Sequence, residues 1–163
     1  MRDAFLLETC VGIVAFASIP KCGQHTLAKY KTCMVSELKV LQFPLRIAFI
    51  REPFDRFLSA FHFITQNNYT LDGKVIRSYE QFVDIAITSG DDHLLPQSMF
   101  IDKYNTLIKL ENMSSVIKSL TGKEITKENT SVRHEFDTSY MKHEVMKRYL
   151  DDSIMYENIG EAA

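Results

Sequence analysis

Three short segments hold the residues that could grip an anion and move a proton. Pro20-Lys21-Cys22-Gly23-Gln24-His25-Thr26-Leu27 directly follows an apolar run. A strand, a glycine-containing turn and a helix in that order aim backbone N–H groups at an anion. Gly23 lets the backbone approach closely. No Gly-Lys-[Ser/Thr] closes the segment, so it is not a Walker loop. The second segment, Arg51 to Phe61, puts Arg51 at the end of an apolar run and Ser59 two turns into a helix opened by Pro53. An arginine fork with a nearby hydroxyl is a good phosphate grip. The same residues also serve to cap a helix or to pair with Asp55 or Glu52. The third segment is Asp91-Asp92-His93-Leu94-Leu95-Pro96-Gln97-Ser98. Its histidine suits a general base, and equally a hydrogen-bonded residue fixing the turn before Pro96. Adjacent loop aspartates are more often solvated than metal-bound, and no metal is expected.

Arg51-x-Pro53-x-x-Arg56-x-x-Ser59-x-Phe61 resembles the 3′-phosphate motif of sulfotransferases that use PAPS (3′-phosphoadenosine 5′-phosphosulfate), most closely their carbohydrate, Golgi-type branch. Pro20-Lys21-Cys22-Gly23 is similar to the 5′-phosphosulfate loop of that family. The resemblance implies that Lys21 contacts the bridging oxygen of the donor. It places Lys21, Cys22, Gly23, Gln24, His25 and Thr26 around the 5′-phosphosulfate, and Arg51 and Ser59 on the 3′-phosphate. His25 stands where many relatives have the first of two hydroxyl residues. His93-x-x-Pro96-Gln97 resembles the His-Trp-x-Pro-Gln segment of the carbohydrate branch, with Leu94 replacing the aromatic residue, which makes His93 the first choice of base. Glu52 and His25, each beside a cofactor motif, come next. Strand-Glu111-Asn112-helix and Tyr149-x-x-Asp152-x-x-x-Tyr156 extend the likeness, which runs from Ile13 to Tyr156. It implies sulfuryl transfer from PAPS to an acceptor hydroxyl of carbohydrate type, with PAP as product. The implied fold is a three-layer αβα domain, P-loop nucleotide-hydrolase-like. A nucleotide-binding module without transfer activity is the alternative; a P-loop kinase is disfavoured by the missing Walker sequence.

The elements that must position these groups are legible as apolar runs. Strands are expected near Ile13–Ile19, Ile47–Ile50 and Leu107–Leu110, forming a central parallel sheet. Helices are expected from Leu27 to about Ser36, from Pro53 to about Gln66, after the capping box Ser78-x-x-Gln81, and from Met113 to a stop at Gly122. A last helix, capped by Ser139, carries an apolar stripe of Met141, Val145, Met146, Tyr149 and Leu150. Its methionines and tyrosine read as core. His62, His134 and His143 read as structural or solvated.

The 163 residues fit one domain, 1–163, and are 45% hydrophobic, which suits a folded core. A net charge of −2 argues against nucleic-acid binding by bulk charge and leaves room for a local basic pocket facing a small anionic donor. The cysteines, Cys10, Cys22 and Cys33, are odd in number and fit no zinc spacing, as reduced thiols in an intracellular protein would. Ala4 to Ile19 is apolar, but Glu8 interrupts it, one arginine precedes it and no small-residue cleavage site follows. It is short for a membrane span. No signal peptide, membrane anchor or transmembrane segment is expected, and the chain reads as cytoplasmic or otherwise soluble.

Overall fold

The apolar amino-terminal run is two strands. A computed structural model describes residues 3–125 and 138–160. Strands β1 (Asp3–Thr9) and β2 (Gly12–Ala17) form an antiparallel hairpin, turned at Cys10 and Val11. Gly12 takes φ 104° there, and the Thr9 hydroxyl bridges the turn, accepting from Val11 N and donating to Gly12 O. Helix α1 (Gln24–Tyr30) is shorter than expected. Lys31 is extended, and Cys33–Ser36 forms strand β3, antiparallel to β1. Val35, β-branched, favours that conformation.

Strands β4 (Arg46–Ile50) and β7 (Thr106–Lys109) complete a five-stranded sheet in the order β3-β1-β2-β4-β7. The expected parallel core is there: β2 pairs β4 and β4 pairs β7 in parallel. The sheet as a whole is mixed, because β1 and β3 extend it antiparallel at one side. The fold is α/β.

Both sheet faces are covered, as the continuous apolar strands require. Phe5, Leu7, Val14, Phe16, Ile47 and Phe49 pack on Leu27 of α1 and on Met113 and Ile117 of α4 (Met113–Thr121). On the other face Ala17, Ala48 and Ile50 meet Phe100 and Ile159. A separate helical cluster joins α2 (Pro53–Gln66), α3 (Tyr79–Ala86) and α5 (Lys142–Arg148). Phe57 lies at its centre, 4.8 Å from Phe82 and 6.1 Å from Tyr149 between ring centres. Strands β5 (Thr70–Leu71) and β6 (Lys74–Val75) form a small hairpin between α2 and α3.

Ser78 caps α3 as expected, accepting from Gln81 N, while Gln81 reaches back to Arg77 N. Gly122 closes α4 at φ 71°. The expected last helix is two: α5, and α6 (Leu150–Asn158), broken at Tyr149. Ser139 lies outside α5, whose flanking residue is Met141. Leu150, expected in the apolar stripe, is exposed, whereas Val145 and Tyr149 are buried. His134 lies outside the described residues. No helix among the described residues is long and apolar enough to cross a membrane.

Candidate active site

The loop between β2 and α1 takes its shape from two left-handed residues. Lys21 has φ 65° and Gly23 has φ 80°. A Cβ on Gly23 would meet Met113 Sδ at 2.7 Å, so α4 packs against the bare glycine. Cys22 turns inward. Its N–H donates to Ile19 O at 3.2 Å and its thiol to Gln97 Oε1 at 2.9 Å. Burial pushes that thiol up from its ordinary pKa. Gln24, His25 and Thr26 form the first turn of α1, where N–H groups lack helical partners. His25 is exposed and Thr26 buried.

Strand β4 delivers Arg51 to the same end of the sheet. Its Nη1 donates to Lys21 O at 3.4 Å, so the arginine flanks the lysine loop. Glu52 caps α2, its two oxygens accepting from Phe54 N and Asp55 N. That occupation suits a structural anion better than a base. Ser59 is buried on α2 between Arg56 and Phe63, which share its helix face by spacing. Both neighbours touch the lysine loop: Arg56 Nε donates to Pro20 O at 3.0 Å, and the Phe63 ring lies under Lys21 Nζ at 4.4 Å.

Arg56 is only 2% exposed. Besides Pro20 O, it donates to Leu95 O at 2.8 Å and Asp92 O at 3.4 Å. One guanidinium thus ties the lysine loop to the His93 loop through carbonyl oxygens. Tyr149 Oη donates to Leu94 O at 2.6 Å. Asp152, fully buried, accepts from Gln97 N at 2.7 Å and Ser98 N at 2.9 Å. The break between α5 and α6 lets both side chains reach that loop.

His93 stacks on Phe63 with ring centres 4.8 Å apart, and its Nδ1 lies 2.8 Å from Asp91 Oδ1. Tyr69 Oη donates to the other Asp91 oxygen at 3.0 Å. Asp91 sits below the usual carboxylate range: burial raises it, but hydrogen bonds from His93 and Tyr69 outweigh burial. Phe63 therefore carries the lysine and the histidine on one ring. Lys21 is lowered to about 8, chiefly by burial and then by the Arg51 charge, against which Cys22 pulls upward. At neutral pH it is still mainly a cation, poorly solvated and facing Arg51 and Arg56.

The family model of the sulfotransferase family matches residues 18–157. The chain belongs to the sulfotransferase family. No curated protein and no solved structure matches it. The matched span contains the Lys21 loop, the Arg51 helix, the His93 loop and Asp152, so the residues brought together here lie within the sulfotransferase homology. The chain is accordingly a transferase of sulfuryl groups.

Within this sulfotransferase Lys21 and Gly23 follow β2, Arg51 follows β4, and His93 joins Lys21 through Phe63 at that end of the parallel strands, where open α/β sheets bind ligands, while Ser59 is buried on α2. Cys22 holds the loop from inside, and its N–H is taken by Ile19 O. Four further residues, Arg56, Asp91, Gln97 and Asp152, stand in the quoted motifs but were given no site role from sequence. Arg56 stands in the motif itself, and its buried position on the apolar face of α2 was the available signal. Asp91 lies two residues before His93, the spacing that lets an Asx side chain bond the residue after next.

Proposed function

We propose that this sulfotransferase moves a sulfuryl group from PAPS to a hydroxyl acceptor of carbohydrate type and releases PAP. In this reading the chain is a three-layer αβα domain of the P-loop nucleotide-hydrolase-like kind, with the donor lying across the carboxyl ends of β2 and β4. The observation that carries it is the Phe63 ring, with Lys21 Nζ on it at 4.4 Å and the His93 ring at 4.8 Å. Two contacts on one ring support the reading that Lys21 serves the leaving group and His93 the acceptor.

Transfer is in line. The acceptor oxygen forms a bond to sulfur as the bridging bond from sulfur to the 5′-phosphate oxygen breaks. A loose transition state leaves charge on that bridging oxygen. Lys21 and the first N–H groups of α1 stabilise it. Arg51 and Ser59 hold the 3′-phosphate and fix the donor's register. Asp91 keeps the proton on His93 Nδ1, so the Nε2 lone pair receives the acceptor proton. The carbohydrate preference rests on the likeness of His93-x-x-Pro96-Gln97 to the carbohydrate branch.

Labelled PAPS offered with a panel of glycans tests this. Label should enter a glycan with the unmutated protein and not with Lys21→Ala. PAP binding without transfer to any member would favour the alternative, a nucleotide-binding module, for which the exposed His25 in place of a hydroxyl residue speaks.

A further inference from the structure

Gln97 is fully buried and is not an anion-binding residue, yet its carboxamide joins both phosphate segments. Oε1 accepts from Cys22 Sγ and from Arg51 N, each at 2.9 Å. Nε2 donates to Arg51 O at 2.9 Å. The side chain thus bonds both main-chain groups of Arg51, as a paired strand would, while holding the lysine loop through Cys22. Its own position is fixed from behind, since Asp152 binds the N–H groups of Gln97 and Ser98. The bonds fall on the main chain of Arg51 and so determine where its side chain starts.

We propose that Gln97 is a positioning residue that sets the register between the 5′-phosphosulfate grip and the 3′-phosphate grip. The inference rests on reading this site as a PAP site. A ligand carrying two phosphates on one nucleoside gains from both grips only if their separation matches its own. Once one phosphate is seated, the other then binds as an intramolecular event. A ligand with a single phosphate gains nothing from that register. Loss of Gln97 should therefore weaken the doubly phosphorylated ligand selectively, a pattern that general destabilisation does not produce.

Titration calorimetry with PAP, adenosine 5′-phosphate and adenosine 3′-phosphate separates the cases. Gln97→Met keeps much of the volume and removes the carboxamide. It should weaken PAP by about 10-fold or more, the equivalent of roughly one hydrogen-bonded contact. Both monophosphates should stay within about twofold, the scatter of independent sites. Cys22→Ala removes only the arm to the lysine loop and should show the same pattern at smaller size, which decides the matter should Gln97→Met not fold. Unchanged PAP binding in a folded variant, or equal weakening of all three nucleotides, would overturn the proposal while leaving the PAP site standing. Equal binding of all three to the unmutated protein would overturn the PAP site, and this proposal with it.

Discussion

Asp91 Oδ1 lies 2.8 Å from His93 Nδ1. An ionised carboxylate there holds the ring proton on Nδ1 and turns Nε2, with its lone pair, away from the pair. If Nε2 takes the acceptor proton, His93→Ala should lower kcat by about 10²-fold to 10⁴-fold, the range of general base catalysis. The acidic limb of its pH–rate profile should vanish, and PAP should still bind. Asp91→Asn should lower kcat in the same direction, because an amide can turn its NH₂ toward Nδ1 and leave the proton on Nε2. A profile unchanged in both variants would remove His93 from the mechanism.

Lys21 acts on charge that develops only as the bridging bond breaks. Lys21→Ala should lower kcat by roughly 10²-fold or more, as the loss of one transition-state donor does. The effect on the KM for PAPS should be smaller. A folded variant with undiminished kcat would count against the role.

The lysine's pKa of about 8 gives a second, independent reading. A bound phosphate beside Nζ favours the charged form and raises that pKa. Well below pH 8 Lys21 is already charged in the free protein, so PAP should bind without proton exchange. Above pH 8 the free lysine is mainly neutral, so binding should draw in up to one proton and PAP affinity should fall as pH rises. Calorimetry in two buffers of different ionisation heat measures the uptake. None at about pH 9 would mean that Nζ does not meet the phosphate.

Arg56 should behave as a structural pin. Arg56→Ala strands carbonyl oxygens of Pro20, Asp92 and Leu95 and opens a cavity under both loops. A cost of about 3 kcal/mol or more is expected, lowering Tm by roughly 6–12 °C in a chain of this size. Thermal melting reads it directly, and a variant melting near the unmutated protein would show that the two loops hold without the guanidinium.

The parallel strands were legible because each is a continuous apolar run followed by a turn and a helix signal; Pro53 marked the start of α2 to the residue. The antiparallel side was not. A hairpin buried on both faces reads like one long strand, with only Gly12 to mark its turn. Strand β3 was hidden because Met34 and Val35 continue the apolar spacing of the helix before them. Lys21, Gly23, Arg51 and Ser59 were proposed from motifs that are contiguous in sequence. The roles of Arg56, Gln97 and Asp152 were not legible, since what they do depends on partners distant in sequence: Pro20 and Leu95, Cys22 and Arg51, Gln97 and Ser98.

We propose that this site reads a 3′-phosphate. Arg51 at the end of β4 touches the lysine loop, Ser59 is buried on the following helix, and a charge-assisted contact is typically worth ~1.5–3 kcal/mol. Titration calorimetry of PAP against adenosine 5′-phosphate, on the unmutated protein and on Arg51→Ala, decides it. PAP should bind about 10²-fold or more tighter than adenosine 5′-phosphate, at ~1.4 kcal/mol per tenfold. Arg51→Ala should erase most of that gap while leaving adenosine 5′-phosphate nearly unchanged. Equal affinities for the two nucleotides in the unmutated protein would contradict the claim, and with it the assignment of PAPS as donor.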